Sequence, residues 1–193
     1  MNENICNILK DLKSKGCSFA VVDERCDELW ILVSKLKEFC AELKKCGFSK
    51  VSKFKNDIYL YGMTPFMCYK KEGCCIVLCE QLACRSTLNG GWVPLDRKIN
   101  LNALSKLRNT EGGIPILSPE NEICYLLAKS VYTDKSFANT ADKINQCINE
   151  LNEVEFMEKL EGVFFKFSRK ILELCKNKQF DVIIKSVWEF SDY

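Results

Sequence analysis

Histidine is absent from all 193 residues of the sequence. Its absence excludes Ser-His-Asp and Cys-His nucleophile pairs, and every metal site that needs an imidazole ligand. General acid–base chemistry would have to rely on Asp, Glu, Lys, Tyr or Cys. Chemistry that combines carboxylates with Mg²⁺ stays open, because Mg²⁺ prefers oxygen ligands.

Proline, glycine and net charge are also scarce, with four prolines, nine glycines and a formal charge of +2. Together with 47% hydrophobic residues, these values exclude a disordered chain. The sequence has neither a run of about 18 apolar residues nor the apolar segment of a signal peptide. We therefore expect a cytoplasmic protein with no membrane partner, and the near-neutral charge makes nucleic acid an unlikely partner.

Cysteine is abundant, with thirteen residues, but no two of them have Cys-x-x-Cys spacing. The densest group is Cys74, Cys75, Cys79 and Cys84. Alternation along a strand would place Cys75 and Cys79 on one face and the other two on the opposite face. Such a set cannot surround zinc tetrahedrally, so we interpret these residues as small buried side chains in a reducing compartment.

Apolar spacing predicts a helix over residues 3–15 that stops at Gly16, followed by a hairpin of the strands CSFAVVDE and ELWILV. A second helix should follow an N-cap at Ser34. Further elements are predicted as strands at about 48–54, 57–62, 66–69 and 74–84, and as a short helix near 101–108.

Beyond Gly113 the pattern is helical and begins at Ser118-Pro119-Glu120, which combines an N-cap, a proline at N1 and an acid in the first turn. More helices are predicted near 137–151, 153–176 and 179–190. The order favours an α+β fold with a mixed sheet and flanking helices. We place a sheet module at residues 1–113 and an α-helical C-terminal module at residues 114–193.

Three stretches give the chain a resemblance to a known superfamily: CSFAVVDERCDELWILVSKLKEFCAELKKCGF, CCIVLCEQLACRS and GIPILSPENEICYLLAKSVYTDKSF. Over residues 15–140 they resemble the nucleotidyltransferase-like superfamily, in particular a little-characterised bacterial branch with a helical C-terminal half. The resemblance implies a nucleotidyltransferase-like mixed sheet. It also implies three carboxylates on adjacent strands that hold Mg²⁺ for transfer of a nucleotidyl group.

The resemblance places the first catalytic acid at Asp27 or Glu28, which are the candidate metal ligands, and Glu80 is the candidate catalytic acid that could stand in for the third. The pattern is incomplete, because the position of the second acid falls on Leu29 or Trp30. The third acid is expected near Val77, three residues from Glu80. The superfamily's acid pair has Asp-x-Asp spacing, which places both carboxylates on one face of a strand.

The resemblance also implies nucleotide binding at Gly16 and Ser18, which stand where a Gly-Ser turn would face the triphosphate. Trp30 is either a base-stacking platform or, as we favour, a packing residue at the rim of the core. The lysines at 44–45, 50, 53, 55 and 70–71 either attract phosphate or, as we favour, form a solvated face.

We therefore expect a divergent, catalytically impaired nucleotidyltransferase-like protein (a pseudoenzyme) that still binds a nucleoside triphosphate or another phosphate-bearing ligand. One alternative is a non-enzymatic protein–protein interaction module that docks its partner through the helical C-terminal half. Another is active nucleotidyl transfer, with Mg²⁺ as cofactor and an atypical set of acids.

Overall fold

The structure is a computed structural model that describes residues 3–25 and 28–189. Its strands, numbered along the chain, are β1 (Phe19–Arg25), β2 (Glu28–Val33), β3 (Ser49–Val51), β4 (Met67–Lys71), β5 (Cys74–Cys79), β6 (Ala83–Arg85), β7 (Trp92–Pro94), β8 (Leu107–Asn109) and β9 (Pro115–Leu117). Its α-helices are α1 (Glu3–Ser14), α2 (Leu36–Lys45), α3 (Arg97–Ala103), α4 (Pro119–Ala128), α5 (Ala141–Cys147), α6 (Glu153–Phe164), α7 (Ser168–Lys176) and α8 (Phe180–Glu189).

Seven of the strands form one mixed sheet in the order β3-β4-β5-β2-β1-β9-β8. β2 lies parallel to β5 and β1 parallel to β9, while the other neighbouring pairs are antiparallel. β6 and β7 pair separately as a two-stranded sheet. The α+β class, with a mixed sheet and a helical C-terminal part, is confirmed.

The contacts within the chain define two compact units. The first comprises Met1–Leu82 with Leu101–Ser118, and the second comprises Ala83–Asn100 with Pro119–Tyr193. The units therefore interleave along the chain, whereas a boundary at residue 113 would divide it into two consecutive segments. The sheet of seven strands belongs entirely to the first unit.

Several local predictions are confirmed by the first unit. Gly16 follows α1 with a φ of +81°, where the helix was predicted to stop. The next two strands, β1 and β2, pair as the predicted antiparallel hairpin. The N-cap at Ser34 is wrong, because the Ser34 hydroxyl donates to the Ser18 carbonyl at 3.3 Å and Lys35 occupies the cap position.

Two predicted elements in the middle of the chain are also wrong. The strand at 57–62 is part of an irregular connection over residues 52–66, in which Tyr61 adopts a φ of +53°. The helix near 101–108 ends at Ala103, and Leu107–Asn109 is a strand. The stretch directly after Gly113 was predicted to be helical, but it begins with the strand β9. α4 starts at Pro119, as predicted.

The second unit is mainly helical, as expected for the C-terminal part. α4 continues into a π-helical segment, Lys129–Asp134, in which the ring of Tyr132 stacks on Phe164 with centroids 5.7 Å apart. The predicted helix over 153–176 is divided into α6 and α7 by a 3₁₀ turn at Phe165–Phe167. No helix among the described residues has the length and apolarity needed to cross a bilayer.

Burial strongly affects the cysteine thiols in both units. Burial raises the pKa of Cys79, in β5, to about 12, and it does the same for Cys124 in α4. The unfolded thiol ionises near pH 9 and the folded thiol near pH 12, so the unfolded state loses its protons first. These thiols therefore stabilise the fold fully below pH 9, and their contribution is lost as the pH rises towards 12.

We expect the free energy of unfolding, measured with urea and circular dichroism, to fall steadily once the pH exceeds the ordinary thiol pKa of 9.0. Cys79→Val should make that decline shallower, because one of the thiols responsible has been removed. A free energy that stays level through pH 10 to 11 in the wild type would contradict the burial of ionisable thiols.

Candidate functional site

The two faces of the large sheet differ in what covers them within the first unit. On one face, Leu29, Ile31 and Val33 of β2 belong to a hydrophobic core shared with α1 and α2. Because side chains alternate along a strand, Glu28 and Trp30 lie on the opposite face. This opposite face, which we call the acidic-strand face, carries the positions at which the resemblance places catalytic carboxylates.

A row of paired residues crosses the acidic-strand face through four strands. Trp30 pairs with Asp23 of β1 on one side and with Val77 of β5 on the other, and Val77 pairs with Cys68 of β4. Directly paired residues point to the same face of a sheet. The register thus places Val77, at the expected position of the third acid, beside Trp30, but neither residue has a side-chain oxygen that could bind a cation.

Asp23 reaches this face because of a β-bulge. The pairing of β1 with β2 shifts between Val21 and Asp23, which leaves Val22 as the extra residue. One extra residue reverses the face on which the following side chains lie. Sequence analysis missed Asp23, and alternation counted from Val21 would have placed it on the core face.

The carboxylate of Glu28 is held by two neighbours on the acidic-strand face. One oxygen accepts a hydrogen bond from the Trp30 indole N–H, and the other forms an ion pair with the Lys53 ammonium group. The Glu28 side chain is only 20% exposed. Both oxygens are therefore engaged, and a cation would have to displace the tryptophan and the lysine in order to bind.

Aromatic rings surround Trp30 on the same face. The ring of Trp30 makes edge-to-face contacts with Phe54 and Phe66, at centroid distances of 5.9 and 5.0 Å. Phe66 makes a similar contact with Tyr59 at 5.6 Å. Edge-to-face contacts of this kind stabilise a packed cluster. They also occupy the ring of Trp30, on which a base would have to stack.

Glu80 lies at the other end of β5. Its carboxylate accepts a hydrogen bond at 3.1 Å from the backbone N–H of Leu36, the first residue of α2. In the parallel pair, Glu28 stands beside Cys75. Glu80 is five residues further along, which corresponds to about 16 Å of extended strand. The structure does not bring Glu28 and Glu80 together.

The predicted nucleotide-binding residues are also separated. Gly16 and Ser18 precede β1, and the Ser18 carbonyl accepts a hydrogen bond from the N–H of Ser34 at 3.2 Å. Trp30 lies four residues before Ser34, or about 13 Å along an extended strand. Gly16 and Ser18 therefore lie towards the end of the sheet at which β2 finishes, away from Glu28. Asp27 lies outside the described residues.

The described residues of this face do not fit a two-metal centre. Two-metal sites need several hard oxygen ligands that converge on ions a few ångströms apart. In residues 3–25 and 28–189, no group of three or more His, Cys, Asp or Glu side chains is placed to hold a metal ion. Asp23 and Glu28 supply carboxylates on this face, and Glu28 is already paired with Lys53.

Comparisons with known proteins add little to this geometry. No family model and no curated protein matches the sequence. Among solved structures, the chain is similar to the antibiotic-resistance factor ANT(2'')-Ia, an aminoglycoside nucleotidyltransferase, with a TM-score of 0.42 and 9% identity. The alignment covers 98% of this chain and 93% of that one. A likeness with so low a TM-score and identity assigns neither a fold family nor a function.

Proposed function

We propose that the chain is a nucleotidyltransferase-like protein that does not transfer nucleotides and that binds a phosphate-bearing ligand without a metal ion. The observation that carries the proposal is the pairing of Glu28 with Trp30 and Lys53 on the acidic-strand face. An active centre would present carboxylates to Mg²⁺ at this place. Here a lysine neutralises one acid, while Trp30 and Val77 occupy the neighbouring positions of the row.

Lys53 is the group that we assign to the ligand. Its side chain is 41% exposed although its ammonium group is paired with Glu28, so Lys53 can contact an anion from solvent. Cys68, in β4, lies within electrostatic reach of both Lys53 and Lys70. Two ammonium groups on one face attract phosphate without any metal ion.

Binding of a fluorescent ATP analogue in EDTA tests this assignment. We expect measurable binding in EDTA, and Lys53→Met should weaken it by about tenfold, since one charge-assisted hydrogen bond contributes roughly 1.5 kcal/mol. Lys37→Met, which removes an exposed lysine from α2, is the matched control and should leave the affinity unchanged. Binding that requires Mg²⁺, or that survives loss of Lys53 intact, would contradict the proposal.

A further inference from the structure

Two helices of the second unit enclose a groove of about 680 Å³, which we call the α6–α7 groove. It is lined by one stripe of α6, at positions 153, 154, 157, 158 and 161, and by one stripe of α7, at positions 169, 172, 173 and 176. Each set recurs at helical spacing, so each lies along one face of its helix. The stripe on α6 extends over about 12 Å, which is the length of about two turns of a third helix.

The two helices that form the groove run antiparallel. They are joined by the 3₁₀ turn at Phe165–Phe167. The Glu153 carboxylate, at the start of α6, accepts a hydrogen bond at 2.6 Å from the Lys176 ammonium group in the last turn of α7. This ion pair therefore lies at the end of the groove remote from the turn.

The floor of the α6–α7 groove is apolar. Leu172 is buried, Met157 is half-buried, and Val154 is 74% exposed. The unbranched side chain of methionine adapts its shape to different apolar partners. A partner side chain that covers Val154 and Met157 would remove apolar surface from water, which favours binding.

The charged residues of the groove are mainly acidic. They are four glutamates, one arginine and one lysine, which gives a net charge of −2. Lys176 neutralises Glu153. In the part of the chain that the structure describes, no ion pair or side-chain hydrogen bond engages Glu158, Glu161 or Glu173. All three are exposed, so their carboxylates are accessible to the cationic groups of a partner.

These free carboxylates suit several separate cationic groups better than one metal ion. Among residues 3–25 and 28–189, no set of three or more His, Cys, Asp or Glu side chains is placed to hold a metal ion. A polyanion such as a nucleic acid would be repelled by the same charges. A partner that fits carries spaced positive charges and an apolar surface, and a basic amphipathic helix combines the two.

We propose that the α6–α7 groove binds a basic amphipathic helix of a partner protein. The apolar face of that helix packs on the floor of the groove, and its lysines or arginines pair with Glu158, Glu161 and Glu173. A polyamine would supply the charges without the apolar face. The inference is independent of the proposed ligand at Lys53, because all residues of the groove belong to the second unit and Lys53 belongs to the first.

Fluorescence anisotropy with a labelled peptide of about 14 residues, built from leucine and lysine at helical spacing, tests the inference. We expect saturable binding at roughly 50 mM salt that weakens at higher salt, because the ion pairs are exposed. Glu158→Gln combined with Glu173→Gln should lower the affinity about fivefold and reduce its salt dependence. Val154→Ala should also lower the affinity about fivefold but leave the salt dependence unchanged, because only apolar contact is removed.

Glu111→Gln combined with Asp142→Asn is the matched control, because it removes the same charge from two exposed positions outside the groove. This variant should bind like the wild type. A second peptide that keeps the lysines and has glutamine in place of each leucine should bind at least about tenfold more weakly. The proposal is overturned if the leucine–lysine peptide does not bind, if the groove variants and the control bind alike, or if the glutamine peptide or spermine binds as tightly as the leucine–lysine peptide.

Discussion

Trp30→Ala should lower the free energy of unfolding by about 2–4 kcal/mol, because it removes a half-buried aromatic side chain from a packed cluster. The ring contacts Phe54 and Phe66 edge to face, and its N–H satisfies one oxygen of Glu28. For a chain of this length, the loss corresponds to a fall in melting temperature of roughly 6–12 °C. Urea unfolding and a thermal scan would measure it.

Trp30→Phe is the matched control. It keeps an aromatic ring among the same neighbours and removes the indole N–H, so its cost should be about 1 kcal/mol. A tryptophan that served mainly as an exposed stacking platform would give a different result: its truncation would leave stability almost unchanged and would affect only ligand affinity. That outcome would contradict the packing role.

Glu80→Ala should destabilise the protein by about 1–2 kcal/mol, because the carboxylate accepts the first free backbone N–H of α2. No side chain of the α2 cap residue replaces this hydrogen bond, since Lys35 forms none to the helix. The negative charge also opposes the positive end of the helix dipole. Glu80→Gln keeps an oxygen acceptor and should lose about half as much.

The comparison with a second acid makes the Glu80 experiment decisive. Glu111→Ala, which removes an exposed carboxylate from the same unit, should change stability by less than about 0.5 kcal/mol. A catalytic acid would behave in the opposite way, because removal of a catalytic group often stabilises a fold. A stabilised Glu80→Ala variant would therefore contradict the capping role and restore Glu80 as a candidate for the active site.

The sequence predicted those helix ends that are determined by one or two adjacent residues. Gly16 ends α1 because a positive φ is needed there, and Pro119 begins α4 because its fixed φ suits the first turn. Prediction failed at residues 57–62, where the continuous run Ile58-Tyr59-Leu60-Tyr61 has the apolar and aromatic composition of a strand. Ile58 and Tyr61 are the two residues that show why. In the structure both side chains project into solvent, and Tyr61 interrupts any extended pairing.

The site was predicted less completely than the fold, because its contacts join residues that are far apart in the sequence. The resemblance placed the third acid position near Val77, and the register pairs Val77 with Trp30. The ion pair of Glu28 with Lys53 joins residues 25 positions apart across an irregular connection, and no periodicity encodes it. The face of Asp23 depends on a bulge that alternating hydrophobicity does not reveal. The role of Asp27 and the predicted protein partner of the helical half stay predictions.

The most direct test of the proposed metal-independent ligand site at Lys53 is the thermal shift caused by nucleoside triphosphates, measured in EDTA and in Mg²⁺, for the wild type and for Glu28→Gln. Ligand at about a hundred times its dissociation constant should stabilise the fold by about 2.7 kcal/mol, which is a shift of several degrees. We predict the same shift with and without metal, and an equal or larger shift in Glu28→Gln, because the carboxylate that competes with phosphate for Lys53 is gone. A shift that appears only with Mg²⁺ or Mn²⁺ and disappears in Glu28→Gln would show that Glu28 binds a catalytic metal ion.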